Sequence, residues 1–282
     1  MFKNLVYANG WIAIGAAMQC MLTLMHGQQY DAYLWPAFAL VLIATWWSYS
    51  MHRVLTITTS AKKDLPVRLQ WSRRRRKILL AALGIAIVPM LFLIRFLDHI
   101  SWTICLITCI PVLLYRLPIG KWGGLRALPY LKLPLIAVVW ALVTVALPVV
   151  SGWTVMTREN MYIMFAERSL FIFALTLPFD VRDAKDDSAE GLKTWVHTVG
   201  KVAAIRISLF SLLLHTGLVA GHTFFQGFYS QAQLLAYSGS NLMTAFFIVR
   251  SARVESDFFH LSVLDGMLVA QPLWLWLFEF LG

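Results

Sequence analysis

The amino-acid sequence predicts an all-α polytopic membrane protein, built as a bundle of nine transmembrane helices. Hydrophobic residues make up 59% of the 282 positions and charged residues only 13%, whereas a soluble domain has about a quarter of its residues charged. Apolar stretches of about 20 residues, the length that crosses the hydrocarbon core of a bilayer, recur along the chain. They lack the alternation of a membrane β-barrel. We expect one domain covering residues 1–282.

Nine apolar stretches are the candidate transmembrane helices. They cover residues 7–27, 34–57, 78–97, 99–116, 129–151, 160–180, 202–222, 231–249 and 258–281. The first is not followed by a small-residue cleavage site, so it is predicted to be a retained span and not a signal peptide. Cys20, Cys105 and Cys109 all fall inside apolar stretches. Neither a disulfide nor a metal centre is therefore expected from them.

The basic residues predict the orientation of the chain in the membrane. The formal net charge is +10, but so apolar a chain has no soluble basic face to offer to a nucleic acid. With the N-terminus in the cytoplasm, 21 of the 24 Lys and Arg residues fall on the cytoplasmic side, as the positive-inside rule requires. We therefore expect a cytoplasmic N-terminus and a periplasmic C-terminus, in a bacterial inner membrane. The basic run Ser72–Lys77 is predicted to contact anionic membrane lipids.

The few acidic residues gather in one segment, "FDVRDAKDDSAEGLKTWVHTVG", residues 179–200. The chain has only 14 Asp and Glu residues, yet five of them fall between positions 180 and 190. Asp180, Asp183 and Asp187 have the spacing of one helix face. Unpaired carboxylates there would repel one another, and Mg²⁺, which also binds substrate phosphates, would relieve that repulsion. The alternative interpretation is a solvated loop that caps a helix.

The same segment resembles the second aspartate-rich motif of the UbiA superfamily of intramembrane prenyltransferases. That motif runs Asp-x-x-Asp-x-x-x-Asp, then Gly-x-Lys-Thr, then a later Gly. The matching positions are Asp180, Asp183, Asp187, Gly191, Lys193, Thr194 and Gly200. Nine helices with both long loops in the cytoplasm are also typical of this family. The resemblance implies transfer of an isoprenyl group from an isoprenyl diphosphate to an aromatic or other lipophilic acceptor, with Mg²⁺ held between two aspartate-rich motifs.

The family's first aspartate-rich motif is missing from this sequence. It is expected near residues 45–60, which read "TWWSYSMHRVLTITTS" and contain no Asp or Glu. Tyr49, His52 and Arg53 occupy the region, and Arg53 can bind a phosphate directly while protonated His52 can add a donor. Two consequences remain open. Either cationic side chains replace one metal ion, or the protein binds a lipid diphosphate or a partner enzyme without turnover. A plain juxtamembrane pair of basic residues is a third interpretation.

Further candidates for diphosphate binding lie in the cytoplasmic loops. Tyr115, Arg126 and Lys132 lie around the loop after the fourth predicted helix, where the resemblance implies a Tyr and a basic residue near the diphosphate. A turn flanked by membrane anchors explains them equally well. Arg182 and Lys193 lie within the acidic segment itself and are the remaining candidates.

Three charged residues fall inside predicted transmembrane helices. Glu167 and Arg168 lie in the sixth helix and Asp265 in the ninth, and such charges are usually paired or functional. Because neighbouring helical residues point about 100 degrees apart, Glu167 and Arg168 are expected to pair with other helices, and Asp265 is a candidate partner for Arg168. A transporter with an ionisable path through these residues is a further alternative, although the broken helices typical of transporter repeats are not evident.

Overall fold

A computed structural model of the protein describes residues 1–29, 31–59, 65–115, 125, 128, 130–189, 191 and 194–281. This part of the chain is helical almost throughout, and the all-α prediction is confirmed. Its strand content is one antiparallel pair of two-residue strands, in which Gln28–Gln29 pairs with Thr154–Val155.

The helices follow the predicted apolar stretches. In chain order they are α1 (Phe2–Tyr7), α2 (Gly10–His26), α3 (Asp31–Thr59), α4 (Val67–Arg74), α5 (Arg76–Ile94), α6 (His99–Leu114), α7 (Lys132–Ala141), α8 (Leu147–Val150), α9 (Arg158–Ala189), α10 (Trp195–Phe224), α11 (Gln231–Ser251), α12 (Asp257–Phe259) and α13 (Met267–Leu281). A π-helical segment, Leu142–Ala146, joins α7 to α8, and a second, His260–Leu264, follows α12.

In the part of the chain that the structure describes, seven helices are long and apolar enough to cross a membrane. They are Leu34–Thr58, Arg76–Ile94, Lys132–Val150, Arg158–Ala189, Trp195–Phe224, Gln231–Ser251 and Asp257–Glu279. Two shorter apolar helices, α2 and α6, coincide with the first and fourth predicted spans. Every predicted span thus has a helical counterpart in the described residues, and the number of membrane crossings stays a prediction.

The long helices pack around a shared apolar core. Helix α9 contacts α7 and α10, and α10 contacts α11. Helix α11 in turn contacts α13, α13 contacts α2, and α2 contacts α3. Phe171 of α9 and Leu264 between α12 and α13 are fully buried in this core, as is the free thiol of Cys20. Large apolar side chains such as Leu242 and Val202 are exposed on the outside of the bundle. An apolar exterior is expected where lipid is the solvent.

Glu167 of α9 is paired with groups outside its own helix, as predicted. Its Oε1 lies 3.1 Å from Nδ1 of His222 on α10, and the hydroxyl of Tyr229 donates a 2.6 Å hydrogen bond to Oε2. All three side chains are buried. This cluster therefore fixes α9 against α10 and the segment that follows it.

Arg168 is likewise held by other helices. Its Nη1 donates to the backbone oxygen of Gln19 at 2.8 Å and lies 3.4 Å from Oγ1 of Thr144. Asp265 is not its partner, because the two residues form no ion pair within 4 Å and Asp265 lies on the wall of a cavity whose lining does not include Arg168. A charge inside an apolar helix predicts that a partner exists, but it carries no information on which helices are adjacent.

Gly200, the last glycine of the motif, makes a kink inside α10. Its φ of 79° and ψ of 162° are not helical, although the helix continues on both sides. A Cβ at this position would meet no atom within 4 Å. The backbone conformation alone therefore explains why glycine is suitable here.

Gly200→Ala is expected to lower the free energy of unfolding by about 1–3 kcal/mol, because alanine must then adopt a positive φ. Gly217→Ala is the matched control, since Gly217 also lies in α10 with open space around it but has no positive φ. Denaturant titration in detergent micelles compares the two variants. Equal stabilities would contradict the assigned kink.

Candidate functional site

The acidic segment lies on the last turns of α9. The helix runs to Ala189, nine residues beyond the predicted end of the apolar span, so the helical spacing inferred for Asp180, Asp183 and Asp187 is observed. Gly191 follows with a φ of 71°, the left-handed conformation that commonly ends a helix. The motif therefore presents its carboxylates from a helix and not from a loop.

A cavity with a volume of about 290 Å³ opens beside these carboxylates. The charged side chains on its wall are Arg53, Arg68, Lys132, Arg182, Asp180, Asp183 and Asp265. Much of the remaining lining is apolar and includes Trp140, Ile172, Leu175 and Leu268. Such a lining suits a ligand that has a charged head and an apolar body.

Lys132, the first residue of α7, bridges two of the motif carboxylates. Its Nζ lies 3.0 Å from Oδ1 of Asp180 and 3.0 Å from Oδ2 of Asp187. The side chain of Asp180 is 0% exposed, and its Oδ2 has no hydrogen-bond partner among the described residues. One ammonium group therefore compensates two carboxylates, one of which is fully buried.

Two guanidinium groups hold the third carboxylate. Arg182 donates to Asp183 through Nε at 2.8 Å and Nη2 at 3.0 Å, and Nη2 of Arg68 adds a contact of 3.3 Å. Nη1 of Arg68 also donates to Oδ1 of Asp257 at 2.9 Å. These ion pairs connect α9 to α4 and to the start of the final membrane span.

Arg53 occupies the region of the missing first motif. It lies on α3, lines the cavity and donates a hydrogen bond to the backbone oxygen of Tyr7. Within the described part of the chain, Arg53 forms no ion pair at 4 Å or less. Its positive charge therefore faces the cavity without a carboxylate bound to it there.

Tyr49 and His52, which also lie in the region of the missing first motif, each contact an aromatic residue. The hydroxyl of Tyr49 accepts a 3.2 Å hydrogen bond from Nε1 of Trp140. His52 lines the cavity and packs edge-on against Tyr115, with ring centroids 5.6 Å apart. Tyr115 thus contacts a cavity residue but is not itself part of the lining.

The structure brings most of the predicted site residues together. Tyr49, His52, Arg53, Lys132, Arg182, Asp180 and Asp183 line one cavity, and Asp187 and Tyr115 contact members of that lining. Arg126 and Lys193 lie outside the described residues. Sequence reasoning missed Arg68 and Asp257. Arg68 is one of nine basic residues in a single loop segment, and Asp257 follows Glu255 after α11 without belonging to a motif, so no spacing distinguishes either.

The three motif carboxylates are paired with basic side chains in this arrangement. Each is engaged by a lysine or an arginine, and no group of three His, Cys, Asp or Glu side chains in the described part of the chain is placed to hold a metal ion. Lys132, Arg68 and Arg182 relieve the repulsion that Mg²⁺ was expected to relieve. Mg²⁺ stays a prediction of the family resemblance.

The helical bundle and its cavity define an integral membrane protein with the fold of UbiA-type prenyltransferases. A digeranylgeranylglyceryl phosphate synthase shares the fold with a TM-score of 0.60 and 15% identity, covering 100% of this chain and 99% of its own. The apo form of a UbiA homologue from Aeropyrum pernix K1 gives a TM-score of 0.62 and 13% identity, with coverage of 100% and 98%. No protein-family model and no curated protein matches the sequence. The UbiA resemblance is thus confirmed at the level of the fold.

Proposed function

We propose that the protein is a UbiA-type membrane prenyltransferase that moves an isoprenyl group from an isoprenyl diphosphate to an aromatic or other lipophilic acceptor. One observation carries this proposal. Within the UbiA-type fold, a single cavity combines four basic side chains with an apolar wall. Arginine and lysine bind phosphate oxygens through charge-assisted hydrogen bonds, and the apolar wall suits the isoprenyl chain.

The proposed reaction breaks the bond between the allylic carbon and the diphosphate oxygen. The electron pair of that bond leaves with the diphosphate, the acceptor bonds to the allylic carbon, and the acceptor's proton passes to the released diphosphate. Basic side chains such as Arg182 stabilise the negative charge that develops on the leaving oxygen. The rings of Tyr49 and Trp140 lie on the same wall and offer aromatic faces to the allylic cation.

A turnover assay tests the proposal. Purified protein in lipid nanodiscs is incubated with labelled isoprenyl diphosphates of several lengths and with a panel of aromatic and lipid acceptors, and prenylated product is sought by mass spectrometry. Arg182→Gln is expected to reduce product formation strongly, whereas Arg206→Gln, at an exposed position on α10, is the control. Absence of product from every pair would overturn prenyl transfer.

A non-catalytic role is the second candidate function. The missing first motif and the paired carboxylates favour it, because both reduce the resemblance to a metal-activated enzyme. In that case the cavity binds a lipid diphosphate, or the bundle binds a partner membrane enzyme, without chemistry. Binding of a non-hydrolysable diphosphate analogue together with no turnover is the result that distinguishes this role from the first.

We propose further that the protein lies in a bacterial inner membrane with its N-terminus in the cytoplasm. The uneven distribution of Lys and Arg supports this orientation. A C-terminal alkaline phosphatase fusion is then expected to be active and a C-terminal green fluorescent protein fusion dark. Fusions made at residue 252, after α11, are expected to show the reverse pattern. The same pattern at both positions would contradict the orientation.

A further inference from the structure

Arg53 stands where the family's first metal site would be. The resemblance places acidic residues between positions 45 and 60, and α3 places a guanidinium on the cavity wall there instead. A carboxylate attracts a diphosphate only through a bound cation, whereas a guanidinium has a fixed positive charge and forked donors that match phosphate oxygens directly. The substitution therefore replaces a metal ligand with a group that needs no metal.

The second aspartate-rich motif shows the same exchange of metal for side-chain cations. Lys132 occupies the space between Asp180 and Asp187, and Asp183 accepts hydrogen bonds from Arg182 and Arg68. A metal ion would have to displace these cations before it reached the carboxylates. The carboxylates already hold the three basic side chains in place beside the cavity.

Two basic side chains on the cavity wall have donors available for an anion. Four basic and three acidic side chains of the described residues line the cavity, and Arg53 has no ion-pair partner within the described part of the chain. Nη1 of Arg182 is buried without a hydrogen bond among the described residues, with Oδ1 of Asp257 3.6 Å away. Asp187 and Asp257, which lie outside the lining, pair with Lys132 and Arg68. The groups left for an anion are therefore the guanidinium of Arg53 and the buried Nη1 donor of Arg182.

We infer that the cavity binds a diphosphate group directly through Arg53, Arg68, Arg182 and Lys132, without a divalent metal. Asp180, Asp183 and Asp187 are then positioning residues, which orient the basic side chains. The inference deepens the proposed function and rests on it for the isoprenyl part of the ligand. The contact with the diphosphate head depends only on the side chains named here.

Binding with and without metal is the first test. The probe is farnesyl S-thiolodiphosphate, a non-hydrolysable analogue, and its dissociation constant is measured by calorimetry in nanodiscs with EDTA or with Mg²⁺. We expect the two constants to agree within about threefold, since no metal takes part. Inorganic diphosphate is expected to compete, which assigns the contact to the head and not to the chain. Binding that requires Mg²⁺ overturns the inference, whereas no binding under either condition removes the proposed function itself.

Two substitutions in EDTA give the second test. Arg53→Gln is expected to weaken binding of the probe roughly 10- to 100-fold, the usual effect of losing a charged hydrogen-bond donor, and Arg53→Lys is expected to restore part of it. Arg74→Gln on α4 is the control, because Arg74 is exposed and lies outside the cavity. Wild-type affinity in Arg53→Gln would overturn the inference.

Asp183→Asn separates a positioning carboxylate from a metal ligand. The amide oxygen of asparagine still accepts a hydrogen bond from the guanidinium groups and so keeps them oriented, while the negative charge is removed. If guanidinium groups bind the diphosphate, the affinity is then unchanged or higher. If Asp183 holds a metal, the same change abolishes binding, and that result would contradict the inference. Unfolding midpoints of each variant show whether it is folded. If Arg53→Gln loses its contact with Tyr7 and folds poorly, Arg68→Gln on α4 is measured in its place. Weaker binding of the probe supports the inference, and wild-type affinity overturns it.

Discussion

Lys132→Met is expected to lower the free energy of unfolding by about 3–5 kcal/mol, the usual cost of leaving a buried charge without its partner. Nζ of Lys132 lies 3.0 Å from both Asp180 and Asp187, and the side chain of Asp180 is completely buried. Removing the ammonium leaves two neighbouring carboxylates on α9 without this counter-ion. Denaturant titration in detergent micelles measures the change, and the turnover assay is expected to show loss of product as well.

Two further variants make the Lys132 experiment specific. Lys201→Met, at an exposed position on α10, is the control and is expected to change stability by less than about 0.5 kcal/mol. Adding Asp180→Asn to Lys132→Met removes one of the uncompensated charges and is expected to recover part of the lost stability. Wild-type stability in Lys132→Met would show that the bridge does not contribute to the fold.

Glu167→Leu is expected to cost a similar amount, about 3–5 kcal/mol. The carboxylate of Glu167 contacts Nδ1 of His222 at 3.1 Å and accepts a 2.6 Å hydrogen bond from Tyr229, in a fully buried cluster. A leucine leaves both of those groups without their acceptor and removes the negative charge next to buried Arg168. The loss is expected as a lower unfolding midpoint, measured by the same titration.

The control for this cluster lies on the same helix. Glu159 is exposed near the start of α9, so Glu159→Leu is expected to change stability by less than about 0.5 kcal/mol. Tyr229→Phe removes only one hydrogen bond to a charged group and is expected to cost about 1.5–3 kcal/mol. If Glu167→Leu is no less stable than Glu159→Leu, the buried cluster does not hold α9 and α10 together.

Much of the fold was predictable because lipid imposes a simple pattern on the sequence. Each apolar stretch has a helical counterpart close to its predicted limits, since length and hydropathy determine whether a segment can cross a bilayer. The spacing of Asp180, Asp183 and Asp187 correctly predicted a helix. The kink at Gly200 was not predicted, because the identity of a residue as glycine does not reveal its φ.

The partners of the site residues were beyond the reach of the sequence. Helical spacing tells which side chains share a face, but the group opposite that face is set by packing between distant segments. The repulsion argument for Mg²⁺ at Asp180 and Asp187 assumed that nothing positive lay nearby, and Lys132 is 55 positions away from Asp187. Arg68 and Asp257 were missed for the same reason, as they meet across 189 positions.

The ion pairs of Arg68 have a consequence for the order in which the protein is made. Arg68 contacts Asp183 across 115 positions and Asp257 across 189. During synthesis, about two-thirds of the chain is translated before Asp183, which is residue 183 of 282. The ion pair with Asp257 can form only after the start of the final predicted span has been translated. The ion pairs that hold Arg68 at the cavity are therefore completed only after the start of the C-terminal span is made, so the candidate site reaches its final arrangement late in synthesis.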